Sequence, residues 1–359
     1  MAPVKFSPSL ILPTFHKLLS SPFPPIPPAP SSLRSPAMGT STPFKVAATQ
    51  MAYPDLEADG GGCTKAIEKA RDLVIKAVAE GGADVVLLQE LFTSPYFCQE
   101  QNAEYFPLAL PAPYPLAGKA TDELHPFFQF FSDLAKQYKV VLPISFYEEG
   151  APNSAVLFNS VIVIDSDGKI LPTLYRKTHI PDGPGYSEKF YFSPGDTGPK
   201  VFTTKEGWKL GIGICWDQWF PELARSMSLL GADVLLYPTA IGTEPQDPTI
   251  DSSRHWRRCM VGHGGSNCVP VVASNRVGTE ALVNAKGVET SRITFYGTSF
   301  ATDTTGEVVA DLDRTEEGYC VTEVDVNGNK AVRQAWGLMR DRRPEMYGLL
   351  GTKTGGAAV

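Results

Sequence analysis

A short segment that occurs twice in this chain constrains its fold more than any other feature. Residues 82–88 read Gly-Ala-Asp-Val-Val-Leu-Leu, and residues 231–236 read Gly-Ala-Asp-Val-Leu-Leu. Each copy follows a helical pattern of apolar residues and ends in a loop. A short apolar run of this kind is typical of a strand buried on both faces. We therefore predict two similar helix–strand halves, related by a pseudo-twofold axis.

Further segments predict the elements around these two strands. The apolar spacing of residues 63–80 predicts a helix, which Gly81 and Gly82 end. Pairs of strand patterns joined by turns rich in Asp and Gly predict two hairpins. Helix–strand units mixed with hairpins indicate the α/β class, with a mixed sheet covered by helices. The predicted strands and hairpins are 44–50, 160–175, 208–214 and 298–311, and a helix is predicted to begin at Pro221.

Three reactive side chains come directly after predicted strands, and α/β proteins place their chemistry at strand ends. Glu90 follows the first repeated segment, Lys177 follows the first hairpin, and Cys215 follows the strand 208–214. Each residue also has an ordinary interpretation: a solvated loop carboxylate, a surface lysine, or a small buried cysteine. Together they form a set of a carboxylate, a cation and a thiol.

The sequence around these residues resembles the nitrilase, or carbon–nitrogen hydrolase, superfamily over about residues 44–345. Three separate motifs carry the resemblance, in the order that the family has. The motifs are Leu88-Gln89-Glu90-Leu91-Phe92, Tyr175-Arg176-Lys177-Thr178-His179 and Gly213-Ile214-Cys215-Trp216-Asp217. The resemblance implies a four-layer αββα sandwich of two pseudo-symmetric halves, which agrees with the repeated segment. It also implies that no metal or organic cofactor is needed, and the spacing of His179, His255 and His263 does not suit a zinc site.

The resemblance implies a role for each member of the set. A thiol has an ordinary pKa of about 8.5, so the cysteine needs a base at pH 7. Glu90 is the expected general base, and Cys215 is the expected nucleophile. Lys177 is expected to stabilise the oxyanion, with the backbone N–H of Trp216 as a second donor.

Three more residues are expected at the site. Glu188 matches a second glutamate of the family and is expected to orient Lys177 or the substrate, although it could form a surface Glu–Lys pair. Tyr96 matches a tyrosine that borders the family's pocket, or it is a core aromatic residue. His255 is expected to line the pocket.

Within the superfamily, the chain most resembles the amidases that hydrolyse N-carbamoylated diamines to the diamine, ammonia and carbon dioxide in polyamine synthesis. The resemblance lies in residues 215–222, 237–245 and 273–276. Hydrolases of N-carbamoyl amino acids carry arginines shortly after the cysteine to bind a carboxylate, where this chain has Gln218-Trp219. In an acidic loop of this chain, Glu244 is expected to pair with the distal ammonium; a solvated loop is the alternative.

Other functions remain open at this point. A β-ureidopropionase-like enzyme, an ω-amidase or a true nitrilase would use the same three residues. A nitrilase-fold scaffold without activity is also possible, although the intact set argues against it. A papain-like protease is disfavoured because its cysteine would begin a helix rather than follow a strand that reads Gly-x-Gly.

Composition excludes two classes of partner. The chain has 39 acidic and 32 basic residues and a net charge of −7, whereas nucleic-acid-binding proteins normally have a basic surplus. No apolar run reaches the roughly 18 residues that span a bilayer. Six cysteines without a CxxC pair favour free thiols in a reducing compartment. We therefore expect a cytoplasmic enzyme with a small-molecule substrate, or an organellar one if its N-terminal segment is a transit peptide.

The chain is predicted to have three parts. Residues 1–43 are rich in Pro and Ser and lack acidic residues, which predicts a disordered extension, either a plastid or other transit peptide or an unstructured tail. Residues 44–345 form the expected hydrolase domain, and 346–359 a flexible tail. The apolar stretch 332–340 is expected to pack on a neighbouring subunit, as in the homo-oligomers of the family, or to dock on its own chain.

Overall fold

The fold is described by a computed structural model that covers residues 3–12, 23–31, 33, 42–54, 62–113, 124–151 and 154–355. Two β-sheets and the helices that cover them make up most of this part of the chain. The main helices are α1 (Gly62–Ala79), α2 (Pro126–Tyr138), α3 (Glu188–Tyr191), α4 (Pro221–Leu229), α5 (Ser253–Asn267) and α6 (Val326–Trp336). None of the helices in the described ranges is long and apolar enough to cross a membrane.

The first sheet contains the first copy of the repeated segment. Its strands are β2 (Phe44–Gln50), β3 (Val85–Leu87), β4 (Leu110–Pro111), β5 (Leu142–Glu149), β6 (Leu157–Ile164), β7 (Ile170–Arg176) and β16 (Gly318–Val324). Strand β2 lies between antiparallel β16 and parallel β3, and a parallel bridge between Val85 and Val141 leads to β5. Strands β5, β6 and β7 then follow as an antiparallel meander, and β4 lies parallel to β5.

The second sheet repeats this order of elements. Its strands, in spatial order, are β8 (Val201–Thr203), β9 (Lys209–Ile212), β10 (Val234–Pro238), β11 (Val271–Ser274), β14 (Phe300–Thr302) and β15 (Val308–Asp311). Strands β9, β10 and β11 are parallel, and the strands at both edges are antiparallel to their neighbours. Helices α4 and α5 connect the parallel strands as α1 and α2 do in the first half. The predicted pair of similar halves is confirmed.

Alternating side chains of the strands explain why the sheets stack. In β3, Val85 and Leu87 face the other sheet, while Val86 faces the helices, so the strand is buried on both sides. The core between the sheets also contains Leu210 and Leu236 from the second half. On the outer faces, α1 and α2 cover the first sheet, and α4 and α5 cover the second. The layers therefore run αββα, as the resemblance implied.

A two-stranded ribbon, β12 (Val277–Val283) and β13 (Glu289–Tyr296), extends beside the sandwich. The N-terminal strand β1 (Val4–Phe6) pairs with β12 in parallel, and Phe6 and Ile11 are fully buried. The prediction that residues 1–43 are disordered was wrong for this strand. The hydrogen-bonding groups on the free edge of β12 and the alternating apolar side chains of Val4 and Phe6 allow it to form. Residues 13–22, 32 and 34–41 of the extension lie outside the described residues.

The C-terminal stretch begins with α6, which docks on its own chain through Arg333. The guanidinium donates hydrogen bonds to the carbonyls of Cys268 and Ala232 at 2.9 and 2.8 Å. Trp336, at the end of α6, is nevertheless 69% exposed. Short 3₁₀ turns follow at Pro344–Met346 and Gly348–Gly351, and the second lies within residues 346–359, for which a flexible tail is predicted. Residues 356–359 lie outside the described residues.

Candidate active site

The ends of three strands converge on one buried cluster. Glu90 follows β3, Lys177 follows β7, and Cys215 follows β9, as the sequence predicts. Lys177 Nζ lies 2.8 Å from Glu90 Oε1 and 2.6 Å from Oε2 of Glu188, the first residue of α3. All three side chains in these two ion pairs are shielded from solvent. The structure therefore brings both predicted glutamates to the same lysine.

Burial and charge act on the basic and acidic partners in opposite directions. Burial lowers the pKa of Lys177, but the negative charges of Glu188 and Glu90 outweigh it and raise this pKa well above its ordinary value. Burial raises the pKa of Glu188 to about 7, against the pull of Lys177 and with the help of Glu90. One cation thus lies between two carboxyl groups, and Glu188 keeps its proton to near neutral pH.

Tyr96 completes the environment of Glu188. Its hydroxyl donates a hydrogen bond of 2.7 Å to Glu188 Oε1, and the side chain is almost fully buried. Its ring centroid lies 5.7 Å from that of Tyr186. Tyr96 is therefore a buried aromatic residue that also contacts the charged cluster.

Cys215 begins a 3₁₀ turn, Cys215–Trp219, in an unusual backbone conformation. Its φ is +43°, in the left-handed region that residues with a Cβ rarely adopt. Burial and the charge of Glu90 raise the pKa of the thiol well above its ordinary value, while Lys177 and the backbone N–H of Ala240 act to lower it. The cysteine therefore rests as a thiol and needs a neighbouring base. Trp216 follows directly, with a side chain that is 39% exposed.

Asn159, on β6, is a member of the site that sequence reasoning missed. Its Nδ2 donates a hydrogen bond of 2.7 Å to Glu90 Oε1, the same oxygen that accepts from Lys177. Glu90 Oε2 is buried and has no hydrogen-bond partner within the described part of the chain. Two donors thus fix one carboxylate oxygen and leave the other available to take a proton. A polar residue in a strand that is apolar apart from Asn159 and Ser160 was the signal that could have found Asn159.

The loop that carries Glu90 is held by a second buried ion pair. Arg276 lies 2.8 Å from Glu280 Oε1, and its guanidinium donates to the carbonyls of Glu90 and Leu91 at 3.0 and 2.7 Å. Glu280 Oε2 accepts the backbone N–H of Tyr96 at 2.6 Å. Leu91 has a φ of +48°, so these contacts hold the loop in a conformation that it would not adopt alone.

Tyr186, another residue missed from sequence, lies between the cluster and the acidic loop. Its hydroxyl donates to the carbonyl of Thr243 at 3.1 Å and accepts the N–H of Gly242 at 3.2 Å. Burial raises the pKa of Tyr186, and the nearby charges of Glu244 and Cys215 raise it further. Tyr186 therefore marks a path from the cysteine to the loop in which sequence reasoning expected the cation site.

The acidic side chains of that loop have different partners. Asp247 accepts hydrogen bonds from the backbone and hydroxyl of Thr249, and Asp251 forms an ion pair with Arg314 at 2.8 Å. Glu244 is half-buried and accepts from the Gln246 amide at 3.3 Å, with no basic side chain of the described residues in an ion pair with it. Of these three acidic residues, Asp251 alone forms an ion pair within the described part of the chain.

His255 lies further out than sequence reasoning expected. It is exposed on α5, and its ring packs edge-on against Trp219 with 4.8 Å between centroids. Trp219 in turn lies 6.0 Å from the ring of Trp216, so His255 ends a row of aromatic rings that begins beside the cysteine. In the described ranges, no three His, Cys, Asp or Glu side chains are arranged to hold a metal ion.

Comparisons with known proteins agree with this geometry. The carbon-nitrogen hydrolase family model matches residues 45–334. The N-carbamoylputrescine amidase of Arabidopsis thaliana is 50% identical over 289 residues, which cover 80% of this chain and 91% of that protein. The citrullinase of Francisella tularensis is 46% identical over 304 residues, which cover 85% and 96%. The crystal structure of a carbon-nitrogen hydrolase from Helicobacter pylori G27 is similar with a TM-score of 0.75 at 36% identity, covering 87% and 99%.

Proposed function

This chain belongs to the carbon–nitrogen hydrolase family, and we propose that it hydrolyses N-carbamoylputrescine to putrescine, ammonia and carbon dioxide. The reaction belongs to the synthesis of putrescine from agmatine. The observation that carries the proposal is a buried cysteine beside one lysine and two carboxylates, in a chain half identical to an amidase of that name. No metal or organic cofactor takes part in the proposed reaction.

The first half-reaction forms a bond between the cysteine and the substrate. Glu90 takes the proton of the Cys215 thiol on Oε2, the oxygen without a hydrogen-bond partner among the described residues. The thiolate attacks the ureido carbon, and the carbonyl oxygen becomes an oxyanion. Lys177 and the backbone N–H of Trp216 stabilise that charge. The C–NH₂ bond then breaks, and Glu90 returns its proton to the departing ammonia.

The second half-reaction releases the diamine. Water attacks the N-alkylthiocarbamate that remains on Cys215, and Glu90 takes the proton of that water. The C–S bond breaks, and the thiolate recovers a proton from Glu90. The released carbamic acid loses carbon dioxide to give putrescine. Glu188 holds Lys177 in place through both half-reactions by its 2.6 Å contact with the ammonium.

The free carboxylate of Glu244 supports the choice of substrate. We propose that it pairs with the distal ammonium of N-carbamoylputrescine, with Tyr96 and Tyr186 along the alkyl chain between them and His255 at the outer rim. An N-carbamoyl amino acid would instead bring a carboxylate toward this acidic loop. Citrulline combines both features, because it carries a terminal ureido group, an ammonium and a carboxylate.

Ammonia release from three ureido compounds tests the proposal. The wild type is expected to act on N-carbamoylputrescine much faster than on N-carbamoyl-β-alanine or citrulline, and Cys215→Ala is expected to be inactive. If the wild type hydrolyses either of the other two compounds but not N-carbamoylputrescine, the substrate assignment would be overturned. If the wild type releases no ammonia from any of the three compounds, the interpretation as a nitrilase-fold scaffold without activity would remain.

A matched pair of substrates tests the role of Glu244. Glu244→Gln is expected to raise KM for N-carbamoylputrescine about tenfold, the loss expected for one charge-assisted contact of about 1.4 kcal/mol. Butylurea has the same ureido end without the ammonium, so its turnover is expected to be the same in both proteins. An equal loss on both compounds would remove Glu244 from the cation site.

We also propose that the protein forms a homodimer or a larger homo-oligomer in a reducing compartment such as the cytoplasm. Residues 44–345 would form the hydrolase unit. Several large apolar side chains near the C-terminus are exposed and would pack on a second copy. They are Trp336, Leu338, Met346, Leu349 and Leu350. Light scattering is expected to give at least a dimer, which Leu350→Asp weakens and Val288→Asp, an exposed control on the β12–β13 ribbon, does not.

A further inference from the structure

The nucleophile turn is held in its unusual conformation by Asp217. Cys215 has a positive φ, and such a conformation persists in a residue with a Cβ only when its surroundings fix it. Asp217 Oδ2 accepts the backbone N–H of Ile214 at 2.9 Å, and the N–H of Asp217 donates to the carbonyl of Ile214 at 3.0 Å. These two bonds close the turn around the cysteine. The Asp217 carboxylate is fully buried, so water does not compete for it.

The same carboxylate binds the segment that carries the lysine. Asp217 Oδ1 accepts the backbone N–H of His179 at 2.9 Å and lies 2.7 Å from Nδ1 of its ring. Asp217 Oδ2 also accepts the hydroxyl of Tyr175 at 2.6 Å. Tyr175 and His179 lie two residues before and two residues after Lys177. The imidazole of His179 is further fixed by stacking on Phe220, with 3.6 Å between ring centroids.

We propose that Asp217 is a positioning residue that fixes the thiol of Cys215 relative to the ammonium of Lys177. One buried carboxylate bonds to the residue before the nucleophile and to both flanks of the lysine. A change in either segment would move the thiol away from the place where the lysine stabilises the oxyanion. This inference rests on the proposed function, since it takes Cys215 as nucleophile and Lys177 as oxyanion donor.

Asp217→Asn keeps the shape of the side chain but removes its negative charge and one of its two acceptor oxygens. The amide keeps one acceptor oxygen and presents an NH₂ group on the other side. If the amide oxygen faces Ile214, the NH₂ group faces the backbone N–H of His179. If the oxygen faces His179, the NH₂ group faces the backbone N–H of Ile214. Because both backbone N–H groups can only donate, the hydrogen bond to either Ile214 or His179 is lost in each orientation of the amide.

The experiment measures two properties of Cys215: its rate of alkylation, which needs no substrate, and its turnover of N-carbamoylputrescine. Alkylation by iodoacetamide, followed at the Cys215 peptide by mass spectrometry, reports the position of the thiol without any turnover. In Asp217→Asn, the alkylation rate and kcat on N-carbamoylputrescine are expected to fall together by tenfold or more. KM is expected to stay within threefold, because Asp217 does not contact the proposed substrate pocket.

Asp165 offers a matched control. It is a buried aspartate in the turn between β6 and β7, away from the site, and accepts the backbone N–H groups of Ser166 and Lys205, each at 2.8 Å. Asp165→Asn loses an equivalent hydrogen bond, so it is expected to lower the urea midpoint without changing alkylation or kcat. If Asp217→Asn behaves in the same way, Asp217 is only structural and the proposal is overturned.

A second variant keeps the test open if Asp217→Asn does not fold. His179→Phe keeps the backbone N–H bond and the stacking on Phe220 but loses the ring contact with Asp217. It is expected to slow alkylation and kcat by about threefold to tenfold, and unchanged rates would overturn the proposal. If the wild type does not act on N-carbamoylputrescine, the proposed function fails. In that case, slower alkylation of Cys215 in the variants would still support the positioning role of Asp217.

Discussion

The two carboxylates that share Lys177 make the stability of this protein depend on pH. Glu90 and Glu188 both form ion pairs with one ammonium in a site closed to solvent. Burial raises the pKa of Glu188 to about 7 from an ordinary value of 4.5. Glu188→Gln removes the second negative charge and leaves Lys177 with Glu90 as a one-to-one pair. We therefore expect this variant to be more stable than the wild type at high pH.

The magnitude and sign follow from proton binding. Between pH 4.5 and 7, the folded protein holds a proton on Glu188 that the unfolded chain has released. The free energy of unfolding of the wild type therefore falls as pH rises through this window. A difference of about 2.5 pKa units corresponds to about 3 kcal/mol at roughly 1.4 kcal/mol per unit. The variant lacks this proton, so its advantage is expected to grow from near zero at about pH 4.5 to about 3 kcal/mol at about pH 8.

The amide that Glu188→Gln introduces can replace the contacts of the carboxylate. Its oxygen can accept from Lys177, and its NH₂ group can donate to the hydroxyl oxygen of Tyr96, which lies 2.7 Å from Glu188 Oε1 in the wild type. Lys177 then donates to a neutral amide oxygen instead of a carboxylate oxygen, so it is held less firmly. We expect kcat to fall about tenfold while stability at pH 8 rises.

Urea unfolding at pH 5, 6, 7 and 8, together with kcat at pH 7, measures both effects. Glu206→Gln is the matched control, because Glu206 is a buried carboxylate outside the site that accepts the hydroxyl of Ser166 at 2.6 Å. It should keep the wild-type kcat. The reasoning is refuted if Glu188→Gln keeps the wild-type pH dependence or is less stable than the wild type at pH 8.

Two other predictions use the same measurements. Asn159→Leu removes one of the two donors to Glu90 Oε1, worth about 1.5–3 kcal/mol for a bond to a charged group, so kcat is expected to fall about 10- to 100-fold; a change below twofold would contradict this. A protein that begins at Met38 lacks Phe6 and Ile11, both fully buried, so its melting temperature is expected to fall by a few degrees with kcat unchanged. Phe6→Ser in the full chain is expected to give a smaller drop, and no drop in either protein would argue against packing of β1.

The fold was predictable from sequence where its signals are local. The repeated Gly-Ala-Asp-Val segments indicated β3 and β10 because a short apolar run must be buried on both sides. The turns rich in Asp and Gly indicated the β6–β7 and β14–β15 hairpins, because a turn between two strand patterns is also a local signal. Strand β1 has no such signal, since three residues in a Pro-rich segment are stabilised by the edge of β12 and by core side chains far along the chain.

The site was predictable only in part, for a similar reason. Glu90, Lys177 and Cys215 carry a signal because they follow strands and sit in recognisable motifs. Tyr186 acts through contacts made across the fold, and little in its neighbours along the chain distinguishes it from an ordinary polar residue. Asn159 carries only the signal of a polar residue in a mostly apolar strand, and its contact with Glu90 is also made across the fold.

The charge balance of the buried cluster explains why the second glutamate matters to the reaction. The proposed mechanism starts with an ionised Glu90 as base, and with Lys177 charged and Glu188 and Cys215 protonated the cluster is then neutral. Transfer of the thiol proton to Glu90 then moves charge within the cluster without adding any to the buried site. Above pH 7, Glu188 loses its proton, and the thiolate must form beside an extra negative charge. Turnover should therefore decline as pH rises past about 7 in the wild type and less in Glu188→Gln; parallel profiles would show that the proton on Glu188 does not assist the thiolate.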